Sequence, residues 1–176
     1  MGRPWGFMRT RETILLVEDD SDDVLQLGLA LKEAGILNPL AVVSDGLEAL
    51  DYLKGEGNYS DRSKCPFPSL ILLDLHMPRM NGFEVLKWLR QEPTLRHLPV
   101  VVLTASAMLT EVKTAYELGA NSCLIKSTNP IQLNQAIKDM AIFWLQTCLL
   151  PDAASLPAIQ PPAQPPQPPP PSAPPR

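Results

Sequence analysis

The stretch Leu70-Ile71-Leu72-Leu73-Asp74 decides the fold, because four consecutive aliphatic residues end on a carboxylate. A short, continuous apolar run of this kind predicts a strand that is buried on both faces, as in a parallel sheet. Four other segments share the pattern, and they are residues 14–17 (ILLV), 41–43 (AVV), 100–103 (VVVL) and 123–125 (CLI). The sequence therefore predicts five buried strands.

Helical segments separate these strands, since apolar residues recur there at a spacing of three or four. The predicted core-facing stripes are Val24, Leu27 and Leu31; Leu47, Leu50 and Lys54; Val85, Trp88 and Leu89; Val112, Ala115, Tyr116 and Gly119; and Leu133, Ile137, Met140 and Trp144. Ser21, Asp45 and Asn129 are predicted N-caps, and Asn81-Gly82 precedes the third helix. Strands that alternate with helices indicate an α/β fold, a doubly wound five-stranded parallel sheet with five helices.

Polar residues that follow the strands are the candidate functional residues. They are Glu18, Asp19 and Asp20 after the first strand, Asp74 after the third, Thr104 after the fourth and Lys126 after the fifth. Ligands of doubly wound sheets bind at the carboxyl ends of the strands, near the point where the strand order reverses. We therefore expect these residues to face one crevice.

Several carboxylates in one crevice repel one another, so a cation or a basic residue must offset their charge. Oxygen ligands favour a hard ion such as Mg²⁺, and Lys126 adds a second cation. A carboxylate nucleophile, a metal, an ammonium and the Thr104 hydroxyl are together the groups that hold a phosphoryl group on a carboxylate. Each residue alone has a simpler interpretation, such as a helix cap for the acidic run. Their convergence indicates phosphoryl chemistry at Asp74.

Composition and charge bound the other possibilities. Net charge is −4 without a basic run on one predicted face, which argues against a nucleic-acid partner. Three cysteines without CxxC spacing indicate reduced thiols in the cytoplasm, and no stretch is long and apolar enough to span a membrane. We predict an N-terminal extension at 1–12, a folded domain at 13–150 and a disordered proline-rich tail at 151–176.

Four separated motifs resemble those of two-component response-regulator receiver domains, the CheY-like superfamily. They are ILLVEDDSDD (14–23), LILLDLHMPRMNG (70–82), VVVLTASA (100–107) and CLIK (123–126). The resemblance covers about residues 14–151 and implies a flavodoxin-like sheet with strand order 2-1-3-4-5. It also implies a phosphorelay signalling protein rather than an enzyme, with Mg²⁺-dependent self-phosphorylation from small donors and self-dephosphorylation.

The resemblance implies a role for each strand-end residue. Asp74 matches the aspartate that a sensor histidine kinase phosphorylates, Lys126 the lysine that pairs with the phosphate, and Thr104 the switch hydroxyl. The implied ligands of Mg²⁺ are Asp74, Asp19 directly, Glu18 through water and the backbone carbonyl of His76.

A narrower resemblance links the chain to the small regulators of bacterial phytochrome kinases. It rests on the loop GEGNYSDRSKCPFPS (55–69), on Lys126-Ser127 and on the terminal IFWLQTCLLP (142–151). Two positions depart from the usual receiver pattern: Ser127 replaces proline, and Cys123 replaces an aromatic residue. A cis bond before Ser127 would cost about 3 kcal/mol, so we expect a trans bond or a strained loop. Without an aromatic ring at Cys123, the usual coupling of hydroxyl and ring rotation cannot operate.

The expected output is a protein contact. Phe143, Trp144 and Leu145 carry more apolar surface than one helix face can bury, which suggests a homodimer seam; alternatively, Trp144 packs on the sheet. His76 and Ser106 should flank the path of the water that hydrolyses the phosphorylated aspartate. One rival is a haloacid-dehalogenase-type hydrolase, whose second aspartate is replaced here by His76. Another is a pseudo-receiver that acts without phosphorylation, as a dimeric interaction module.

Overall fold

A computed structural model describes residues 12–105 and 108–148. The strands are β1 (Thr13–Val17), β2 (Leu40–Val43), β3 (Pro68–Asp74), β4 (Val100–Thr104) and β5 (Ser122–Ile125). The α-helices are α1 (Ser21–Glu33), α2 (Gly46–Lys54), α3 (Gly82–Gln91), α4 (Leu109–Glu117) and α5 (Pro130–Ala141). A 3₁₀ turn spans Gly57–Tyr59, and a π-helical segment, Ile142–Thr147, continues α5. The predicted proline-rich tail, residues 1–11 of the predicted extension and Ser106 lie outside the described residues.

The five strands form one parallel sheet with the order β2-β1-β3-β4-β5, which confirms the predicted fold and strand order. Thr104 is in register with Ile125, and Asp74 with Leu103, so the carboxyl ends of β3, β4 and β5 lie along one edge. The order reverses between β1 and β3, and the crevice of a doubly wound sheet opens at that point.

Helices cover both faces of the sheet. Side chains of one parity, including Leu15, Ile71 and Leu73, pack with α2, α3 and α4, whereas Ile14, Leu16 and their neighbours pack with α1 and α5. The central strands are fully buried, and each large aliphatic side chain there contributes about 1.5–3 kcal/mol through burial. Among the described residues, none of the helices is long and apolar enough to cross a membrane.

The helix N-caps agree with prediction at all but one position. Asp45 and Asn129 cap α2 and α5, and Asn81 forms a reciprocal capping box with Glu84 at the start of α3. The prediction of Ser21 as a cap is wrong, because α1 already begins at that residue. The cap is Asp20, whose Oδ1 accepts hydrogen bonds from the backbone N–H groups of Asp22 and Asp23 at 2.8 and 3.3 Å.

The predicted core face of α2 is wrong in part. Leu47 is exposed, and Ala49, Tyr52 and Leu53 are buried instead. Tyr52 can occupy the core because its hydroxyl donates to the backbone carbonyl of Pro66, 2.8 Å away. The loop that follows α2 therefore supplies the partner that allows the Tyr52 hydroxyl to be buried.

Arg90 of α3 joins the loops that lead into β4 and β5. Its guanidinium donates to the carbonyl of Gly119 from Nε at 3.0 Å and from Nη2 at 2.6 Å. It also reaches the carbonyls of Arg96 and Leu98 and the side chain of Asn121. Burial lowers the pKa of this guanidinium from its ordinary value. One side chain thus fixes two loops at the amino-terminal edge of the sheet.

Candidate functional site

Asp74 lies at the end of β3 with only 5% of its surface exposed. Its Oδ2 accepts a hydrogen bond of 2.6 Å from the backbone N–H of His76. The loop returns to the strand end through a 3.1 Å hydrogen bond from the N–H of Gly82 to the carbonyl of Leu75. This loop therefore fixes both the backbone and the side chain of Asp74.

Glu18, Asp19 and Asp74 form an acidic cluster between β1 and β3. Each offers one oxygen, and these oxygens lie within 4.8 Å of one another. Glu18 is buried and Asp19 is exposed, so one side of the cluster is open to solvent. Burial raises the pKa of the Glu18 carboxyl, although its contact with Lys126 opposes the rise. A set of oxygen donors at this spacing fits a hard divalent cation.

Asp20, the third member of the acidic run, has a different role from the predicted one. Its side chain caps α1, as described above, and it is absent from the acidic cluster. The expectation that Asp20 faces the crevice is therefore wrong, and the simpler interpretation of a helix cap holds for this residue, because its Oδ1 accepts hydrogen bonds from two backbone N–H groups at the start of α1.

Lys126, directly after β5, reaches across the crevice to three carboxylates. Its Nζ lies 2.5 Å from Glu18 Oε2, 2.8 Å from Asp74 Oδ1 and 2.8 Å from Asp23 Oδ2. Burial alone would lower the pKa of this amine, but the hydrogen bonds with the three carboxylates outweigh burial and raise it. The three carboxylates around Nζ therefore favour the charged ammonium, and the predicted convergence of β1, β3 and β5 on one crevice is present.

Asp23 is the site residue that the sequence analysis missed. It lies in the first turn of α1, four residues after Asp19. The helix begins at the carboxyl end of β1, so a residue in its first turn can face the same crevice as the strand end. The spacing of four residues between Asp19 and Asp23 is therefore the feature of the sequence that indicates a shared crevice.

Thr104 is fully buried at the end of β4, and its carbonyl accepts a 2.8 Å hydrogen bond from the backbone N–H of Lys126. The side chain of His76 is exposed and contacts α4. Its Nε2 lies 3.3 Å from Oε2 of Glu111, in the first turn of α4. The loop after Asp74 is thus in direct contact with α4.

The two departures from the receiver pattern are accommodated locally. The described residues contain no cis peptide bond, so the bond between Lys126 and Ser127 is trans. The Ser127 hydroxyl donates to Gln132 at 2.9 Å and accepts from the backbone N–H of Asn129 at 3.1 Å, which places it at the start of α5. Cys123 is half-buried; burial raises the pKa of its thiol, and a hydrogen bond with Tyr116 of α4 opposes that rise.

The three residues of the predicted dimer seam, in the π-helical segment Ile142–Thr147, differ in their burial. Leu145 is buried in the core between the sheet and α5, so its assignment to a seam is wrong. Trp144 is partly buried against the same core, as the alternative interpretation expects. Phe143 is exposed and packs edge-on to Trp144, with ring centroids 5.2 Å apart. Of the three side chains, Phe143 presents most of the apolar surface to solvent.

Compared with known families and proteins, this chain matches response regulators. The family described as the response regulator receiver domain matches residues 14–138. Response regulator Rcp1 of Synechocystis sp. is 41% identical over 142 residues, which cover 81% of this chain and 95% of Rcp1.

Solved structures extend the comparison. The phosphorylated cyanobacterial phytochrome response regulator RcpA has a TM-score of 0.75 and 39% identity, and the match covers 81% of this chain and 99% of RcpA. The Mn²⁺-bound form of Rcp1 has a TM-score of 0.72 and 41% identity, with 80% and 99% of the two chains covered. Family match, sequence identity and fold agree, and this chain belongs to the response regulator receiver domain family.

Proposed function

We propose that this response regulator takes a phosphoryl group onto Asp74 from a sensor histidine kinase. A carboxylate oxygen of Asp74 attacks the phosphorus, the bond from phosphorus to the histidine nitrogen of the kinase breaks, and an aspartyl phosphate forms. The observation that carries this proposal is the placement of a nearly buried carboxylate, with Lys126 on one oxygen and the His76 N–H on the other.

The acidic cluster supports a divalent cation as the cofactor, and we propose Mg²⁺. Glu18, Asp19 and Asp74 would hold it, together with the backbone carbonyl of His76. Bound there, the cation would offset the charge of the phosphoryl group. Lys126 supplies a second positive charge from the opposite side of the crevice. We propose that the same groups support self-phosphorylation from a small acyl phosphate and later hydrolysis of the aspartyl phosphate.

The proposed output is a protein contact. A phosphoryl group adds roughly −1.5 to −2 charges at Asp74, and Thr104, at the adjacent strand end, would move toward it and change the loop that leads into α4. With Cys123 at the aromatic position, this movement proceeds without ring rotation. The contact between His76 and Glu111 offers another connection to α4.

A light-sensing kinase is the partner that we propose, because RcpA is a phytochrome response regulator. We also propose residues 13–150 as the receiver domain, flanked by the extension and the proline-rich tail, and a cytoplasmic location.

A homodimer through Phe143 is a further proposal. A monomer at all concentrations in sedimentation, with and without a phosphoryl mimic, would contradict it.

The test of the main proposal is incubation of the intact chain with Mg²⁺ and acetyl phosphate, followed by mass spectrometry. The wild-type chain should gain one phosphoryl group, and Asp74→Asn should gain none. Asp51→Asn is the matched control, because Asp51 is an exposed aspartate of α2 and should leave the reaction unchanged. Absence of added phosphate on the wild-type chain, or addition that survives Asp74→Asn, would favour the pseudo-receiver alternative, which the departures at Cys123 and Ser127 leave open.

A further inference from the structure

The three hydrogen-bond donors of the Lys126 ammonium each face a different carboxylate. Two of those carboxylates, Glu18 and Asp74, belong to the acidic cluster that fits a cation. The third, Asp23, lies outside that cluster and contacts the ammonium at 2.8 Å. Asp23 is therefore the partner of Lys126 that is neither the phosphoryl acceptor nor a proposed ligand of the metal.

We propose that Asp23 is a positioning residue for phosphoryl transfer, which holds the Lys126 ammonium in place while Asp74 reacts. This inference rests on the proposed function of Asp74. When Asp74 becomes an acyl phosphate, its carboxylate charge is lost and the donor that faced it turns to a phosphoryl oxygen. Glu18 is shared with the cation site. Asp23 alone keeps an undivided negative charge on the lysine throughout the reaction.

The backbone of Asp23 is held in place by the cap of α1. Its backbone N–H donates to the cap residue Asp20, so the first turn of α1 is anchored where β1 ends. The side chain lines a cavity of about 350 Å³ between α1 and α5. The charged residues among those that line this cavity are Glu18, Asp23 and Lys126, and most of the others are aliphatic. If Asp23 loses its charge, as in Asp23→Asn, a neutral oxygen replaces the carboxylate beside the ammonium, and a neutral acceptor holds a charged donor less strongly.

Asp23→Asn should therefore slow both phosphorylation from acetyl phosphate and hydrolysis of the aspartyl phosphate, each by about tenfold, because both reactions use the same aligned ammonium. Asp22→Asn is the matched control. Asp22 is the preceding residue of the same helix turn, it is exposed, and it removes the same charge without touching Lys126. Asp23→Glu keeps the charge and should recover part of the rate.

A second comparison separates positioning from a merely structural role. If Asp23 acts through the ammonium, Asp23→Asn added to Lys126→Ala should cause no further loss of rate, whereas a structural role would add its effect. A cooperative thermal unfolding transition is the check that each variant is folded.

The measured quantities are the two rate constants with Mg²⁺, from intact-mass spectra over time. Slowing by Asp23→Asn but not by Asp22→Asn, and absent on the Lys126→Ala background, supports the inference. Equal rates for the Asp23 and Asp22 variants, or a full additional loss on the Lys126→Ala background, overturn it and leave the proposed function intact. A wild-type chain that takes up no phosphoryl group overturns both.

Discussion

Replacing Gly82 by alanine should disable the phosphorylation site without unfolding the domain. A Cβ at this position would lie 2.2 Å from the backbone oxygen of Asp74 and 2.9 Å from the Cα of Leu75. Ordinary van der Waals contact begins at 3.4 Å, so the gap between 2.2 and 3.4 Å requires a movement of about 1.2 Å. Both neighbouring atoms belong to the backbone, so either α3 or the strand end that carries Asp74 must shift.

The size of that shift sets the expected effects. Overpacking of this kind costs about 1–3 kcal/mol of unfolding free energy, which leaves a domain of this size folded. Misplacement of a reacting group by 1 Å can cost about a hundredfold in rate. We therefore expect Gly82→Ala to lower the rate of phosphorylation from acetyl phosphate by about two orders of magnitude, with a much smaller effect on stability.

The assay measures the phosphorylation rate by intact mass and the stability by urea unfolding. Gly28→Ala is the matched control, because a Cβ at Gly28, within α1, meets nothing within 4 Å. It should stabilise the domain by about 0.5–1 kcal/mol through helix propensity and leave the rate unchanged. If Gly82→Ala is phosphorylated at the wild-type rate, the close approach of α3 to the strand end does not hold the acceptor in place, and the reasoning is refuted.

Three other changes test the fold, the acidic cluster and the lifetime of the phosphorylated state. Arg90→Ala should lower the unfolding free energy by about 3 kcal/mol, because the Gly119 carbonyl and its neighbours lose their donors; a loss in urea unfolding below about 1 kcal/mol would contradict this. Glu18→Gln should raise the melting temperature at neutral pH in a chelator. Folding raises the pKa of the Glu18 carboxyl above its ordinary value of 4.5. Protonated Glu18 therefore stabilises the folded state at a pH below 4.5, and this stabilisation is lost as the pH rises and the carboxyl ionises. The rise in melting temperature caused by Glu18→Gln should therefore disappear in acid, and a rise that persists there would show that the pKa of Glu18 is not raised. Joint replacement of His76 and Ser106 should change the rate of dephosphorylation, measured by intact mass over time; an unchanged half-life would show that they do not flank the water path.

The sequence predicts the central strands β1, β3 and β4 well because each contains an uninterrupted aliphatic run, whereas the edge strands β2 and β5 are only partly buried and the prediction of burial on both faces is wrong there. A run such as Leu70-Ile71-Leu72-Leu73 has no alternative but full burial, and the polar residue after it marks the carboxyl end. Helix faces are harder to predict, since burial depends on what packs beside them. Leu47 is exposed, whereas Tyr52 is buried with its hydroxyl on the carbonyl of Pro66 in the following loop, and periodicity carries no information about that partner.

The site was predictable where strand ends supply it. Asp74, Glu18 and Lys126 converge as the topology requires. Asp20 and Asp23 could not be assigned from residue type, because both are acidic residues near the end of β1. Which of them caps α1 and which faces the lysine depends on the residue at which the helix begins, and that boundary differs from the predicted one by a single residue.

The ammonium at the centre of the site also bears on how the domain forms during synthesis. Lys126 lies 108 residues after Glu18 and 103 residues after Asp23. A nascent chain that has emerged only as far as β4 therefore carries the acidic residues of β1, α1 and β3 without the cation that offsets them. Their mutual repulsion opposes docking of β1 against β3, and contacts of such long sequence separation form late. We therefore expect the domain to become stable only when the ribosome has delivered its last strand.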